Sequence, residues 1–167
     1  MARTVLKWKL NASLHDGDIP HWTTLSKLNN KVVELIQQLA SSSSPVSTQD
    51  FDALALLPAS EWPQDSPLTA LHKTFSDIRR NLKALGEEAG VPIEPPPQTA
   101  VCDSTMRVPG VVAALVPGAG GYDAVACVYI DRREVHEAIG ALWAQWETPI
   151  ICPLAVKANQ SGLRVEA

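Results

Sequence analysis

The sequence predicts an α+β domain in which helices cover one face of a small antiparallel sheet. Up to Gly90, apolar residues recur at the three- and four-residue spacing of amphipathic helices. After Pro109 they form short continuous runs rich in valine and alanine, which are typical of buried strands. The 167 residues suit one domain, and a hydrophobic content of 46% can fill its core. We therefore treat residues 1–167 as a single domain.

Two helices are predicted at the N-terminal end of the chain. The first is short and spans residues 5–10. A stripe of apolar residues predicts a second helix over residues 22–40. The serine-rich stretch of residues 41–48 follows, and we predict a flexible surface loop there because serine-rich segments make poor secondary structure.

Two serines mark the starts of the next helices. Ser47, with Asp50 three positions later, resembles a capping box and predicts a short helix. Ser66 followed by Pro67 is a stronger signal, because serine accepts a hydrogen bond from an orphan amide and proline presets the backbone angle. We predict that the long helix opened there continues to Gly90.

The second half of the sequence predicts a sheet of three or four strands. The strands are expected at residues 111–116, 124–130, 150–156 and, at the sheet edge, 163–166. Two or three turns of helix are expected over residues 98–107. A further helix is expected to start at Asp131, which would be its N-cap, with Glu134 completing a capping box.

Charge and cysteine content exclude several classes of function. A net charge of −4 argues against nucleic acid or an anionic membrane as partner, because both attract basic proteins. No apolar run approaches the roughly 20 residues of a membrane-spanning helix, and no secretory signal is visible. The three cysteines and four histidines lack ligand spacing. We therefore expect reduced thiols, superficial histidines, no metal, no cofactor and a cytoplasmic location.

The stretch between the first two predicted strands is the most informative part of the chain. It reads Pro-Gly-Ala-Gly-Gly-Tyr-Asp over residues 117–123. Three glycines in four positions permit positive φ angles and leave amide N–H groups unshielded, so that they can converge on an oxyanion or a carbonyl group. The alternative is a tight hairpin in which glycine serves geometry alone.

This stretch resembles the third signature motif of the GHMP kinase superfamily, in the spelling of fungal phosphomevalonate kinases. Further similarity flanks it in the family's order, at residues 5–8 and 90–95 and at Gln98-Thr99. The resemblance covers essentially the whole chain. It implies the ferredoxin-like α+β fold of the GHMP kinase C-terminal domain.

The resemblance also implies what this sequence lacks. In these kinases the Gly/Ser-rich phosphate-binding loop, the metal-binding residues and the catalytic residues belong to an N-terminal half that has no counterpart here. A chain without that cradle has nothing to hold ATP, so we expect no kinase activity from this chain alone. Because the sequence begins at Met1, we expect a free-standing protein descended from such a half. The alternative is the excised half of a larger kinase.

Three functions are compatible with this interpretation. The expected one is a cofactor-free cyclase, of pericyclase or Diels–Alderase type, that binds an isoprenoid-derived intermediate in fungal secondary metabolism. The second is a non-catalytic binding module. The third is a C-terminal fragment or subunit of a phosphomevalonate kinase. The face uncovered by the absent half would suit a terpenoid-sized ligand or a second copy of the chain, giving a homodimer.

The candidate site residues fall into two groups. Donors and cations that could activate a carbonyl or carboxylate group are Tyr122, Lys7 and Arg107. Candidates for binding the substrate are Gly118, Ala119, Gly120, Gly121, Asp123, Glu94, Trp8 and Trp62. Solvated surface charge is the alternative for Lys7, Arg107 and Glu94, and core packing is the alternative for the tryptophans. We expect Gly120→Val to block the pocket without disturbing the fold, because the loop is expected to be a surface turn.

Overall fold

The computed structural model describes residues 2–16, 20–41, 46–118 and 120–154. Its helices are α1 Ala2–Asp16, α2 Pro20–Ala40, α3 Thr48–Ala55, a 3-10 turn at Ala59–Glu61, α4 Pro67–Ala89, α5 Pro96–Thr105 and α6 Arg133–Ala144. Its strands are β1 Val111–Leu115 and β2 Ala126–Tyr129. The helices precede and follow a small antiparallel sheet, so the α+β class is confirmed.

The N-terminal helices are longer than predicted. α1 begins well before the predicted residues 5–10 and continues beyond them. α2 lies along α4, and its apolar stripe faces the core without any α2 residue being fully buried. The last residues of the predicted loop at residues 41–48 are ordered against the protein, because Val46 is buried and α3 begins at Thr48. Residues 42–45 lie outside the described residues.

Both serine caps are confirmed. The Ser47 hydroxyl accepts a hydrogen bond from the Asp50 amide at 3.2 Å, and the Asp50 carboxylate accepts one from the Ser47 amide at 2.8 Å. Ser66 accepts a hydrogen bond from a first-turn amide of α4 at 3.3 Å. α4 ends at Gly90, which has a φ of +63°, the left-handed conformation typical of a glycine after a helix.

Within the described residues the sheet has two strands, where three or four were predicted for the whole chain. β1 and β2 pair in antiparallel register, from Val111 opposite Tyr129 to Leu115 opposite Ala126. Residues 150–154, the first part of the predicted third strand, form no strand. A proline cannot donate to a strand ladder, and Pro153 interrupts this segment. Residues 155–156 and the predicted edge strand at 163–166 lie outside the described residues.

The predicted cap of α6 is wrong, although the helix itself forms. Its N-cap is Arg132, in extended conformation, and no side chain caps it. The N-cap is thus one residue later than the predicted Asp131. The Arg132 side chain pairs with Asp52 of α3. The helix buries Val135 and Ile139 against the core.

Among the residues that the structure describes, three hydrophobic clusters form the interior. The largest lies among α3, α4, α6 and the sheet, and Trp62 is its bulkiest fully buried side chain. The second joins Val5 of α1 to Leu85 of α4 and to Ile93, with Trp8 at its border. The third lies between α5 and the sheet around Cys102. Within the described ranges, no helix is both long and apolar enough to cross a bilayer.

Two histidines that were expected to be superficial are instead partly buried and hydrogen-bonded. His21 of α2 lies 2.9 Å from the Asn81 amide oxygen and 2.8 Å from the Glu88 carboxylate, both on α4. His72 of α4 donates through Nδ1 to the Val112 carbonyl oxygen at 2.8 Å. Val112 is the extra residue of a bulge in β1, which explains why its carbonyl oxygen needs a side-chain partner. Both histidines therefore tie α4 to a neighbouring element.

Candidate functional site

The glycine loop, residues 117–123 between β1 and β2, has the backbone conformation that its composition predicts. Gly118, Gly120 and Gly121 have φ angles of +64°, +79° and +106°. Side chains with a Cβ rarely adopt these angles, so the loop conformation depends on glycine. Ala119 lies outside the described residues.

The glycine loop is docked on Ile93, in the segment that precedes α5. The Gly121 amide donates to the Ile93 carbonyl oxygen at 2.8 Å. A Cβ atom on Gly120 would lie 2.6 Å from both the Cα and the carbonyl oxygen of Ile93, which is too close for any side chain. The expectation that Gly120→Val would leave the fold intact is therefore wrong. The loop is a packed contact and not a free surface turn.

Gln98 of α5 provides a second anchor for the glycine loop. Its residue is 4% exposed, and its Nε2 donates to the Tyr122 carbonyl oxygen at 2.8 Å. Its Oε1 is buried without a hydrogen-bond partner in the described part of the chain. The main chain of Tyr122 is thus fixed by a hydrogen bond, although Tyr122 as a whole is 59% exposed.

Anchoring uses two of the amides that were expected to face a ligand. The Gly121 amide is bound to Ile93, and the Gly120 amide donates to the Pro117 carbonyl oxygen at 3.3 Å. Gly118 differs, because it is exposed and a Cβ there would meet no atom within 4 Å. Gly118 is therefore the described loop glycine over which another molecule can approach the backbone closely.

Glu94 follows Ile93 and is held by an ion pair. Arg79 of α4 binds its carboxylate with two nitrogens, Nε to Oε2 at 2.6 Å and Nη2 to Oε1 at 2.7 Å. The Thr99 hydroxyl also donates to Oε1, at 2.9 Å. The Glu94 side chain is only 5% exposed, so the alternative of a solvated surface carboxylate is wrong. Both of its oxygens are occupied within the protein.

Arg79 was missed by sequence reasoning. Its Nη1 also pairs with Asp103 at 2.7 Å, and its Nη2 donates to the Thr99 carbonyl oxygen at 3.3 Å. Burial lowers the pKa of Arg79, but its hydrogen bonds to Glu94 and Asp103 outweigh burial and raise that pKa. The available signal was its place next to Ile78, within the apolar stripe of α4.

The three catalytic candidates lie at the surface. Tyr122 is on the glycine loop, Lys7 is on the exposed side of α1, and Arg107 follows α5. Among the described residues, no hydrogen bond or ion pair links these three side chains. Asp123 is also exposed, next to Tyr122.

The two candidate tryptophans lie in different clusters. Trp62 is 1% exposed in the main core, where its Nε1 donates to the carbonyl oxygens of Leu54 and Leu57 at 2.9 and 3.0 Å. Trp8 is half-buried in the cluster that includes Ile93. Trp8 therefore lies on the same cluster as the residue that receives the glycine loop, whereas Trp62 stabilises the interior.

Two open cavities lie along α4, with volumes of about 300 and 230 Å³. They share Ser76 and Arg80. The larger is lined by Ala59, Ser60, Gln64, Thr69, His72, Lys73, Ser76, Asp77 and Arg80, and the smaller by Ser76, Arg79, Arg80, Lys83, Glu94, Thr99 and Asp103. Neither lining includes a residue of the glycine loop. The two cavities are not the terpenoid-sized pocket expected at that loop.

The region that holds these features matches a known family. The family described as GHMP kinases C terminal matches residues 68–148, which include Arg79, Glu94 and the glycine loop. No solved structure matches the chain significantly.

Curated relatives extend the similarity. The phosphomevalonate kinase of Gibberella zeae is 35% identical over 100 residues, covering 58% of this chain and 23% of the relative. That of Aspergillus fumigatus is 28% identical over 149 residues, covering 89% and 27%. The peroxisomal phosphomevalonate kinase of Arabidopsis thaliana is 28% identical over 179 aligned positions, covering 100% and 34%.

The chain thus spans about a quarter to a third of the length of these relatives. It is a homologue of the fungal and plant phosphomevalonate kinases, and its residues 68–148 match the family described as GHMP kinases C terminal.

Proposed function

We propose that this chain acts as the C-terminal part of a phosphomevalonate kinase, either as a fragment or as a subunit. In this proposal it contributes the glycine loop to a site for ATP-dependent phosphoryl transfer. The observation that carries the proposal is the geometry of that loop, which exposes Gly118 while Gly121 and Tyr122 are anchored. The homology to phosphomevalonate kinases supports it.

The chemistry of phosphoryl transfer suits such a division of labour. Catalysis there consists mainly of positioning the reactants and neutralising charge. A fixed backbone that carries no side chain at Gly118 lets a substrate approach closely at that point without an entropic cost of ordering the loop. Among the described residues, no group of three His, Cys, Asp or Glu side chains is placed to bind a metal. The proposal assigns the nucleotide and its magnesium to the N-terminal half that the family resemblance implies.

The comparisons favour this function over the expected cyclase. The relatives are kinases by name, and none of the contacts described above favours a cofactor-free cyclisation. The catalytic candidates Tyr122, Lys7 and Arg107 are exposed and not joined to one another. We therefore take the kinase alternative as the proposed function.

A chimeric enzyme tests the proposal. The matching C-terminal region of the Aspergillus fumigatus enzyme would be replaced by this chain, and ATP-dependent phosphorylation of phosphomevalonate would be measured. We expect the chimera to retain activity. A folded chimera that binds ATP but does not phosphorylate phosphomevalonate would contradict the proposal.

A matched pair of glycine variants shows whether the glycine loop contributes to activity. Gly118 and Gly90 have φ angles of +64° and +63°, and a Cβ at either would meet nothing within 4 Å. Gly118→Ala and Gly90→Ala therefore place a Cβ at the same positive φ without a steric clash. We expect Gly118→Ala to lower activity about tenfold or more, the loss that a small misplacement of reactants causes, and Gly90→Ala to change it little. Equal activity of the two variants would exclude a role for the loop.

A further inference from the structure

The two anchors of the glycine loop share a feature that their sequence positions reveal. Ile93, which accepts from the Gly121 amide, is followed directly by Glu94. Gln98, which donates to the Tyr122 carbonyl oxygen, is followed directly by Thr99. Glu94 and Thr99 are both bound by a single side chain, that of Arg79. Each anchor is therefore one residue away from a group that this guanidinium holds.

We propose that Arg79 is a positioning residue, which sets the distance between the two anchors and so fixes the conformation of the glycine loop. That the fixed loop conformation favours substrate binding rests on the proposed function. That Arg79 fixes the loop conformation does not rest on it. The hydrogen bonds of Arg79 go to residues outside the glycine loop, so it acts on the loop through Glu94 and Thr99.

The shape of arginine suits this task better than a simple positive charge. All three guanidinium nitrogens are engaged: Nε and Nη2 with Glu94, Nη1 with Asp103, and Nη2 also with the Thr99 carbonyl oxygen. A planar fork fixes direction as well as distance, which an ammonium group on a flexible stem does not. The Arg79 side chain is only 14% exposed, so water competes little for these bonds.

The Glu94 carboxylate is fixed from a second side. The Thr99 hydroxyl donates to the oxygen that also accepts from Arg79 Nη2. The Thr99 carbonyl oxygen thus accepts from Arg79, and the Thr99 hydroxyl donates to Glu94. These bonds close a ring that joins α4, the segment between α4 and α5, and α5. A buried ion pair is weak evidence for stability, but such a ring restrains the relative positions of its members.

Hydrogen exchange measured by NMR on the full chain tests the proposal. The variant Arg79→Lys keeps the positive charge and removes the fork. Its control is Arg80→Lys on the same helix, because Arg80 is 78% exposed and, within the part of the chain that the structure describes, pairs only with Asp77 of its own helix. Two amides are compared, that of Gly121, which reports the docked loop, and that of Ile130, which donates to Gly110 beside β1.

We expect Arg79→Lys to accelerate Gly121 exchange about tenfold or more while Ile130 exchange changes less than about twofold, because local opening is then easier than global unfolding. Arg80→Lys should change neither amide. An unchanged Gly121 rate, or equal acceleration of Gly121 and Ile130, would overturn the proposal, since the second result is that of a merely structural ion pair.

A second variant keeps the test decisive if Arg79→Lys does not fold. Thr99→Val removes one donor from Glu94 and leaves Arg79 in place. It should accelerate Gly121 exchange in the same selective way but by a smaller factor, and no selective acceleration would contradict the proposal. These measurements need no kinase activity. An inactive chimera would therefore refute the proposed function without affecting this conclusion about the loop.

Discussion

Alanine at Gly120 and at Gly118 separates the cost of backbone strain from the cost of a steric clash. Both glycines have positive φ, +79° and +64° respectively. They differ in their surroundings, because a Cβ on Gly120 would lie 2.6 Å from the Ile93 main chain and a Cβ on Gly118 would meet nothing within 4 Å. The pair therefore measures how tightly the glycine loop is docked.

The expected magnitudes follow from three contributions. An L-residue in the left-handed region costs about 1–2 kcal/mol, and this applies to both positions. Alanine also restricts the unfolded chain, which returns about 0.4–1 kcal/mol. Gly118→Ala should therefore lower the free energy of unfolding by about 1 kcal/mol. Gly120→Ala must in addition push the Ile93 backbone aside, and overpacking of this kind adds about 1–3 kcal/mol. Its total is about 2–4 kcal/mol.

Urea denaturation followed by tryptophan fluorescence gives both free energies of unfolding, and NMR exchange of the Gly121 amide shows whether the loop has left Ile93. We expect Gly120→Ala to expose this amide and Gly118→Ala to leave it protected. Equal destabilisation by the two variants, with the Gly121 amide protected in both, would refute the docking of the loop on Ile93.

Three further predictions concern the rest of the molecule. Trp62→Phe should lower the free energy of unfolding by about 1–3 kcal/mol in urea denaturation, since it removes the Nε1 donor that the Leu54 and Leu57 carbonyl oxygens have besides their main-chain donors and leaves a space unfilled; a loss below about 0.5 kcal/mol would contradict this. Two hydrogen bonds raise the pKa of His21 above 6.5, the one to Asn81 having the larger effect and the one to Glu88 the smaller. The contribution of His21 to stability should therefore be complete below pH 6.5 and lost as the pH rises through the raised pKa. His21→Gln should remove that pH dependence, measured by urea denaturation at several pH values, and an unchanged profile would show that other groups cause it. Calorimetric titration of this chain alone with Mg-ATP should show no binding, because its glycine loop runs from strand to strand and no lysine follows it as in a phosphate-cradling loop; micromolar affinity would contradict the assignment of the nucleotide to another half.

The helices could be predicted from the sequence because their signals are local. Ser47, Ser66 and Gly90 act within a few residues of themselves, and each does what its type and position predicted. The cap of α6 failed for a non-local reason. Arg132 is drawn to Asp52, which is 80 residues earlier in the chain, and no local pattern records that contact.

The strands show the same division. Continuous apolar runs located both strands, although burial on both faces, which such a run predicts, holds for β1 and not for β2. The run at residues 150–156 is similar in composition, yet residues 150–154 form no strand. Strand formation needs a partner edge, and the sequence of a segment does not say whether an edge is offered to it.

The candidate site divides between what a motif can indicate and what only packing reveals. The glycines at positive φ were predictable, because no other residue type suits such angles. Their docking on Ile93 was not, since the contact joins residues far apart in sequence. Arg79 was invisible for the same reason, with partners 15 and 20 residues away at Glu94 and Thr99.

At Glu94 the family resemblance indicated the correct segment, but the group in that segment that contacts the glycine loop is not the one expected. The family pattern singled out its proline-flanked segment, and the carboxylate was the obvious group to face a ligand. In the structure the carboxylate is bound by Arg79 and Thr99, and the neighbouring carbonyl oxygen of Ile93 receives the glycine loop. The prolines stiffen the segment, the ion pair holds it against α4, and its main chain then supports the loop. The segment therefore influences the candidate site through the position of its backbone, and a substitution at Glu94 should act on the site through Ile93.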